Sequence, residues 1–307
     1  MAFLDPAADG LAGGPATASV AVDDSGEKAS WLQVTPLVLV LLLFFGLPML
    51  VVLAVSFFDF SRTEIVPAFI LDNYADLFRS EVTLRLYASS IKFALIVWTV
   101  TLVLGFNIAY FLVFHVRSPL LAIGLFLLCT VPFWTSNIIR MISWIPLLGK
   151  YGVFNRTLLA LGIVDKPVEW LLFSDFAVVV AYVHLFTLFM IVPIFNSMAR
   201  IDRSLIEAAV DAGAGRLRVM TKVVIPLSKT GIALGSIFVI ALVMGDFFVV
   251  KIMSGGRSAS VVTAVFEDVN LLFYPPAAAS AVVLLIIVTL IVSFILRLVD
   301  VRKELTG

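Results

Sequence analysis

Residues 200–229 read RIDRSLIEAAVDAGAGRLRVMTKVVIPLSK and interrupt an otherwise apolar chain. Nine charged side chains fall inside the stretch: Arg200, Asp202, Arg203, Glu207, Asp211, Arg216, Arg218, Lys222 and Lys229. Ser204 followed three residues later by Glu207 has the spacing of a capping box, in which hydroxyl and carboxylate satisfy the free N–H groups of a first helical turn. Ile201, Leu205, Ala208 and Ala212 step by four, three and four, which is one face of an α-helix. Ala208 and Ala209 keep that surface low, so another backbone can approach. Gly213 and Gly215 can adopt the positive φ that ends a helix. Pro226 marks a break before the next apolar run. The stretch therefore predicts a short, capped, amphipathic helix at about 200–215 with a glycine turn at its end.

Working outward, the chain of 307 residues is 62% hydrophobic with a mean hydropathy of +1.12. A soluble domain is about 45–50% apolar, so this composition describes a polytopic membrane protein. The 21 basic and 21 acidic residues cancel, which points to neither nucleic acid nor an acidic partner. The single cysteine, Cys129, excludes an intrachain disulfide and a cysteine-cluster metal site.

Residues 1–30 are small, polar and slightly acidic, and predict a disordered tail. They lack the basic start of a secretory signal, so no cleavage is expected. Six nearly uncharged runs follow, at about 34–58, 93–114, 119–139, 176–199, 230–250 and 277–296. Each meets the roughly 20 apolar residues needed to cross a bilayer core of about 30 Å. The expected fold class is all-α and polytopic, with six transmembrane helices and the amphipathic helix between the fourth and fifth.

Lys and Arg in the loops set the orientation. With the tail inside, the inner segments hold Lys28, Arg117, the six cations of 200–229, Arg297, Arg302 and Lys303. The outer segments hold Arg62, Arg79, Arg85, Lys150, Arg156, Lys166, Lys251 and Arg257. The six cations in one short loop decide in favour of cytoplasmic termini and a cytoplasmic helix at 200–215.

Glu207-Ala208-Ala209, three residues, Gly213, nine residues and then Val223-Val224-Ile225-Pro226 resembles the EAA motif of permease subunits of binding-protein-dependent ABC importers. Val223 and Ile225 stand where that pattern has Ile and Leu. The segment from Pro132-Phe133-Trp134 to Pro167, together with Gly245-Asp246-Phe247, Gly255-Gly256 and Tyr274-Pro275-Pro276-Ala277-Ala278, is similar to the spermidine/putrescine branch of that family. The same branch includes permeases for opines, phosphonates, thiamine and ferric iron. The resemblance implies a transmembrane permease domain over 31–307, forming half of a substrate path in a bacterial inner membrane. It implies a second permease subunit, read as a homologous sibling, two ATP-binding subunits carrying ATP and Mg, and a periplasmic substrate-binding protein. It implies no cofactor on this chain itself.

On that resemblance Ser204, Glu207, Ala208, Ala209, Asp211 and Gly213 form the ATPase-coupling surface. Glu207 shapes the helix and meets a basic group on the ATPase, or caps its own helix; a capping acid favours a helix N-terminus in either case. Asp246 is the acid in the fifth run. A charge at depth costs about 2.5–3.5 kcal/mol on insertion scales, so it faces protein or water. It receives an ammonium group of a polyamine, pairs with Arg140 or Lys92, or lies in the outer interface. Phe133, Trp134 and Trp144 line a path and stack on a cationic chain, or form an interfacial aromatic belt. Arg140 and Lys92 suit an anionic substrate, or serve as gate partners for acids.

The sequence has no Gly-x-x-x-x-Gly-Lys-Ser/Thr loop, no Gly-x-Ser-x-Gly and no His-Glu-x-x-His. An intramembrane aspartyl protease needs a second intramembrane acid, which the other runs do not offer. A gradient-driven secondary transporter is the rival class; it predicts several buried acids and glycine-broken spans in paired repeats.

Overall fold

The computed structural model describes residues 34–60 and 65–299. The expected tail at 1–30 and the cations Lys28, Arg62, Arg302 and Lys303 lie outside the described residues. The chain divides into two compact units, one ending at Val51 and one beginning at Val52.

The first helix, α1, runs Val34–Val55 with a mean hydropathy of 3.0 and matches the first apolar run. It contains a wide π-turn at Leu42–Gly46, directly before Pro48. Proline cannot donate to the ladder and its ring crowds the carbonyl four residues back, and the wider turn relieves that clash.

In the second unit, a two-residue antiparallel ribbon, β1 (Asp59–Phe60) with β2 (Ile65–Val66), precedes α2 (Asp72–Arg79). The Asn73 side-chain amide donates to the carbonyls of Ser56 at 3.1 Å and Phe58 at 2.9 Å, which ties α2 to the end of α1. Next comes α3 (Glu81–His115), at 35 residues much longer than the expected run. Its first twelve residues carry Glu81, Arg85 and Lys92, so only the later part resembles an apolar span.

The third apolar run is not one straight helix. After α4 (Pro119–Thr130) comes a tight turn at Val131–Trp134, then α5 (Asn137–Ile142), α6 (Trp144–Leu148) and α7 (Val153–Ala160). The two halves of this hairpin-like element meet at 95°. Pro132 weakens the ladder, and Thr135 and Ser136 are both extended, with ψ of 151° and 140°. The Thr135 hydroxyl closes the turn by donating to the Pro132 carbonyl at 2.8 Å. Asn155 is fully buried and holds the segment shut: its amide donates to the Gly149 and Val168 carbonyls at 3.0 and 3.1 Å, and its oxygen accepts from the Val168 N–H at 2.7 Å.

α8 (Asp175–Ala199) is continuous through Pro193. α9 (Arg203–Asp211) lies in the polar stretch. α10 (Arg216–Leu227) meets α11 (Lys229–Gly245) at 69°. The bend falls at Ser228, two residues after Pro226, and a π-turn at Met220–Val224 again precedes the proline. The fifth run stops early: α11 ends at Gly245, and the extended backbone of Asp246 separates it from α12 (Phe248–Met253). α13 (Val261–Asn270) and α14 (Tyr274–Leu298) complete the described chain.

Among the described residues four helices are long and apolar enough to cross a membrane, and two bent pairs raise the count to six if each pair is one span. The core sits where α3, α8 and α11 pack on one another. Phe93 and Val97 from α3, Tyr182, Met190 and Ile194 from α8, and Val239 and Val243 from α11 are buried there. Small residues allow this closeness. A methyl group at Gly105 or Gly235 would come within 2.8 Å of the Met190 side chain. α14 packs against α13, α2 and α11, and the Tyr87 hydroxyl donates to its Ser280 carbonyl at 2.7 Å.

Candidate functional site

The helix in the polar stretch forms as α9, but its cap is not the expected one. Asp202 is the N-cap, and its carboxylate accepts from the Ser204 N–H at 2.9 Å. Ser204 lies inside the first turn, so the Ser204–Glu207 capping box does not form. Both residue types cap well; the chain turns out of α8 at Arg200 and Ile201, which places Asp202 at the boundary. The hydrogen bond from the Ser204 backbone holds the Asp202 carboxyl below the usual aspartate range.

The other end is the expected glycine turn. Gly213 has φ +80°. Its N–H donates to the Val210 carbonyl at 2.8 Å, and the Ala214 N–H reaches the Ala209 carbonyl at 3.0 Å. These are the two crossed bonds of a Schellman motif. Gly215 does not share the positive φ; at −69° it is the N-cap of α10.

The faces of α9 also differ from the expected division. Ile206 and Ala209, with Ile201 and Ala214 beyond the helix ends, pack against the core. Leu205, Ala208 and Ala212 point outward, as do Ser204, Glu207, Val210 and Asp211. A helix of nine residues with two apolar sides is consistent with one being covered by its own chain and the other left exposed. Past the turn, Gly213, Gly215, Arg216, Leu217, Arg218, Thr221 and Lys222 line an open basic hollow of about 620 Å³.

The residues expected along a path separate into two groups. Phe133 meets the α8 ring of Phe189 edge-on, with centroids 5.0 Å apart, and the Arg140 guanidinium lies 5.2 Å from the Phe133 centroid. Trp144 donates its indole N–H to His184 Nδ1 of α8 at 3.0 Å. Trp134 joins neither contact and is 81% exposed. Asp246 joins neither contact. It ends α11, accepts from the Val249 N–H at 2.9 Å and faces the Tyr182 hydroxyl of α8 at 3.2 Å.

Among the described residues Asp246 pairs with neither Arg140 nor Lys92. Lys92 instead binds Asp175 at 2.6 Å, and the Ser258 hydroxyl donates to the other oxygen of that carboxylate. Lys150–Glu169 and Lys251–Glu267 are further pairs at 2.6 Å. The sequence marks neither Asp175 nor Tyr182, and Asn155 stands in it only as part of the 132–167 segment similar to the spermidine/putrescine branch. Their partners Lys92, Asp246 and Val168 lie 13 to 83 residues away in the chain, and only the Asn155–Gly149 bond, over six residues, is local.

A family model described as the binding-protein-dependent transport system inner membrane component matches residues 103–304. The chain belongs to this family. It is a permease subunit of an ABC importer, a multi-pass inner-membrane transport protein and not an enzyme. It is 36% identical over 221 residues to the spermidine/putrescine transport system permease protein PotB of Escherichia coli (strain K12), covering 71% of this chain and 78% of that one. The PotB of Haemophilus influenzae is 33% identical over 223 residues, covering 71% and 75%. The fold is shared with a chain in the crystal structure of a bacterial alginate ABC transporter in complex with alginate pentasaccharide-bound periplasmic protein. That match has a TM-score of 0.70 and 17% identity, over 88% of this chain and 93% of that one.

Proposed function

We propose that this permease forms one wall of a polyamine path and that α9 is the lever through which an ATPase moves it. The observation that carries the lever is the outward face of α9. Leu205, Ala208 and Ala212 form a low apolar strip beside Glu207 and Asp211, on a helix fixed at both ends by Asp202 and the Gly213 turn. A short helix clamped this way transmits displacement without unwinding. Ser204, Glu207, Ala208, Ala209, Asp211 and Gly213 are its coupling residues, and Ala209 acts from the inner side by seating the helix on the core.

The six cations of 200–229 orient α9 and both termini toward the cytoplasm. Residues 31–307 form the permease domain, preceded by the tail at 1–30. A second permease completes the path, two ATP-binding subunits hold ATP and Mg, and a periplasmic binding protein delivers substrate. Similarity to PotB supports spermidine and putrescine as substrates. Asp246, with its carboxylate fixed by Val249 and Tyr182, is the group that receives an ammonium.

The test is uptake by the whole complex in liposomes, with ATP inside and the binding protein outside. Labelled putrescine and spermidine are offered beside an opine, a phosphonate, thiamine and ferric iron. ATP-dependent polyamine uptake that falls in Asp246→Asn supports the reading. Uptake of another compound overturns the substrate class. Full transport by Glu207→Ala with Gly213→Pro overturns the lever.

A further inference from the structure

Arg140 is a buried cation without an acid. It is 6% exposed. Its Nη2 donates to Asn137 Oδ1, one turn earlier on the same helix. Its Nε has neither solvent nor a partner. A guanidinium carries five N–H donors and no acceptor, so one neutral side-chain oxygen leaves most of its capacity unused. Among the described residues no carboxylate pairs with it; the ion pairs present use Arg85, Lys92, Lys150 and Lys251. Asp246 is engaged by Val249 and Tyr182.

The position makes this costly. Arg140 rests on Phe133, and Phe133 on Phe189 of α8. At about 1.5 Å per residue, Phe189 lies roughly 21 Å along α8 from its first residue, Asp175. Nearby Trp144 reaches His184, roughly 13 Å along. Against a bilayer core of about 30 Å, the guanidinium sits well inside the membrane. Lipid chains can cover the exposed Trp134, Ile138 and Ile139 beside it, but they offer no acceptor.

We infer that Arg140 takes a carboxylate from the second permease subunit, forming an intersubunit ion pair inside the membrane. The inference rests on the proposed pairing of two permeases. This chain itself encloses Arg140 Nε, so the carboxylate meets the terminal nitrogens Nη1 and Nη2, whose planar fork it matches. The exposed apolar residues around it supply the rim such a contact needs. The pair has a consequence for transport: an uncompensated guanidinium repels an ammonium substrate, so neutralisation by the partner is a condition for a cation to pass.

The experiment uses the assembled transporter, with this chain and its sibling permease expressed together. Arg140→Gln, Arg140→Lys and Arg140→Glu are compared for sibling recovery in detergent, ATPase activity and polyamine uptake. Each acid in the sibling's membrane segments is then changed to Arg in the Arg140→Glu background. The expected result is a drop of tenfold or more in uptake for Arg140→Gln and a smaller drop for Arg140→Lys. Arg140→Glu should be inactive and restored by one sibling acid→Arg change. Wild-type uptake by Arg140→Gln overturns the inference, as does restoration of Arg140→Glu only by changes within this chain. Wild-type uptake that requires anionic lipid, with Arg140→Gln insensitive to that lipid, assigns the guanidinium to a headgroup and overturns it too. A wild-type complex with no ATP-dependent uptake and no sibling attached refutes the functional reading itself, which is a separate failure.

Discussion

Gly231 offers a sharp test of how the core is held, because two opposing effects predict different signs. A methyl group there would lie 2.3 Å from the Pro193 carbonyl oxygen, 2.6 Å from Ser197 Cβ and 2.9 Å from the Pro193 carbonyl carbon. Ordinary contact begins near 3.4 Å, so the closest approach must open by 3.4 − 2.3 = 1.1 Å. The obstacle is largely backbone, which cannot swing aside like a long side chain. Separating α8 from α11 also loosens the Gly235–Met190 contact one turn on. Overpacking of this kind costs about 1–3 kcal/mol, and a backbone clash belongs at the upper end. Replacing glycine by alanine in a helix returns about 0.8–1.0 kcal/mol. The net for Gly231→Ala is a loss of about 2 kcal/mol, measured as reversible unfolding in mixed detergent and SDS. Gly124→Ala on α4 is the control, since no atom lies within 4 Å of the new methyl; it should be neutral or gain up to about 1 kcal/mol. Gly231→Ala as stable as Gly124→Ala would refute the close approach of α8 and α11.

Three further outcomes follow from the same geometry. Gly213→Ala meets no atom within 4 Å but must hold φ +80°; it should cost about 1 kcal/mol and raise amide exchange at Gly213 and Ala214. Asp202→Ala should speed exchange in the first turn of α9 and leave the last turn unchanged. Because the folded Asp202 carboxyl lies below its ordinary range, the cap's contribution is present above the unfolded pKa near 4 and disappears as pH falls through the lower folded value. Amide exchange or NMR of that turn across the acid range reads this directly; fraying that instead worsens as pH rises would contradict the cap. Asn155→Ala leaves the Val168 carbonyl and N–H without their buried partner, while the Gly149 carbonyl keeps the Gly152 N–H. It should destabilise the α5–α7 segment by about 2–6 kcal/mol, at roughly 1–3 for each of the two unsatisfied groups, seen as protease cleavage between residues 149 and 168.

The division between what is legible in the chain and what is not follows the range of the forces involved. Hydropathy alone marked the apolar runs, because each crossing needs its length of apolar residues within one segment. The polar stretch and the Gly213 turn were legible for the same reason. A positive φ and a set of helix-terminal bonds are decided within about six residues. Locally balanced choices were not legible. Asp202 and Ser204 are both good caps, and the path of the chain leaving α8 chose between them. Ile201, Leu205, Ala208 and Ala212 are correctly periodic, yet the core takes Ile201 with Ile206 and Ala209 and leaves Leu205, Ala208 and Ala212 exposed, since periodicity defines faces without saying which one is covered. Pro132 allows a kink, but the 95° bend at Thr135–Ser136 is not legible, because apolar composition is blind to the size of a change of direction. Arg140 shows the limit most plainly. Its charge and place are visible in the sequence, but only packing against Phe133 and α8 shows that it is buried with its Nε unpartnered. Desolvation depends on every neighbouring element at once, and no local run of residues encodes it.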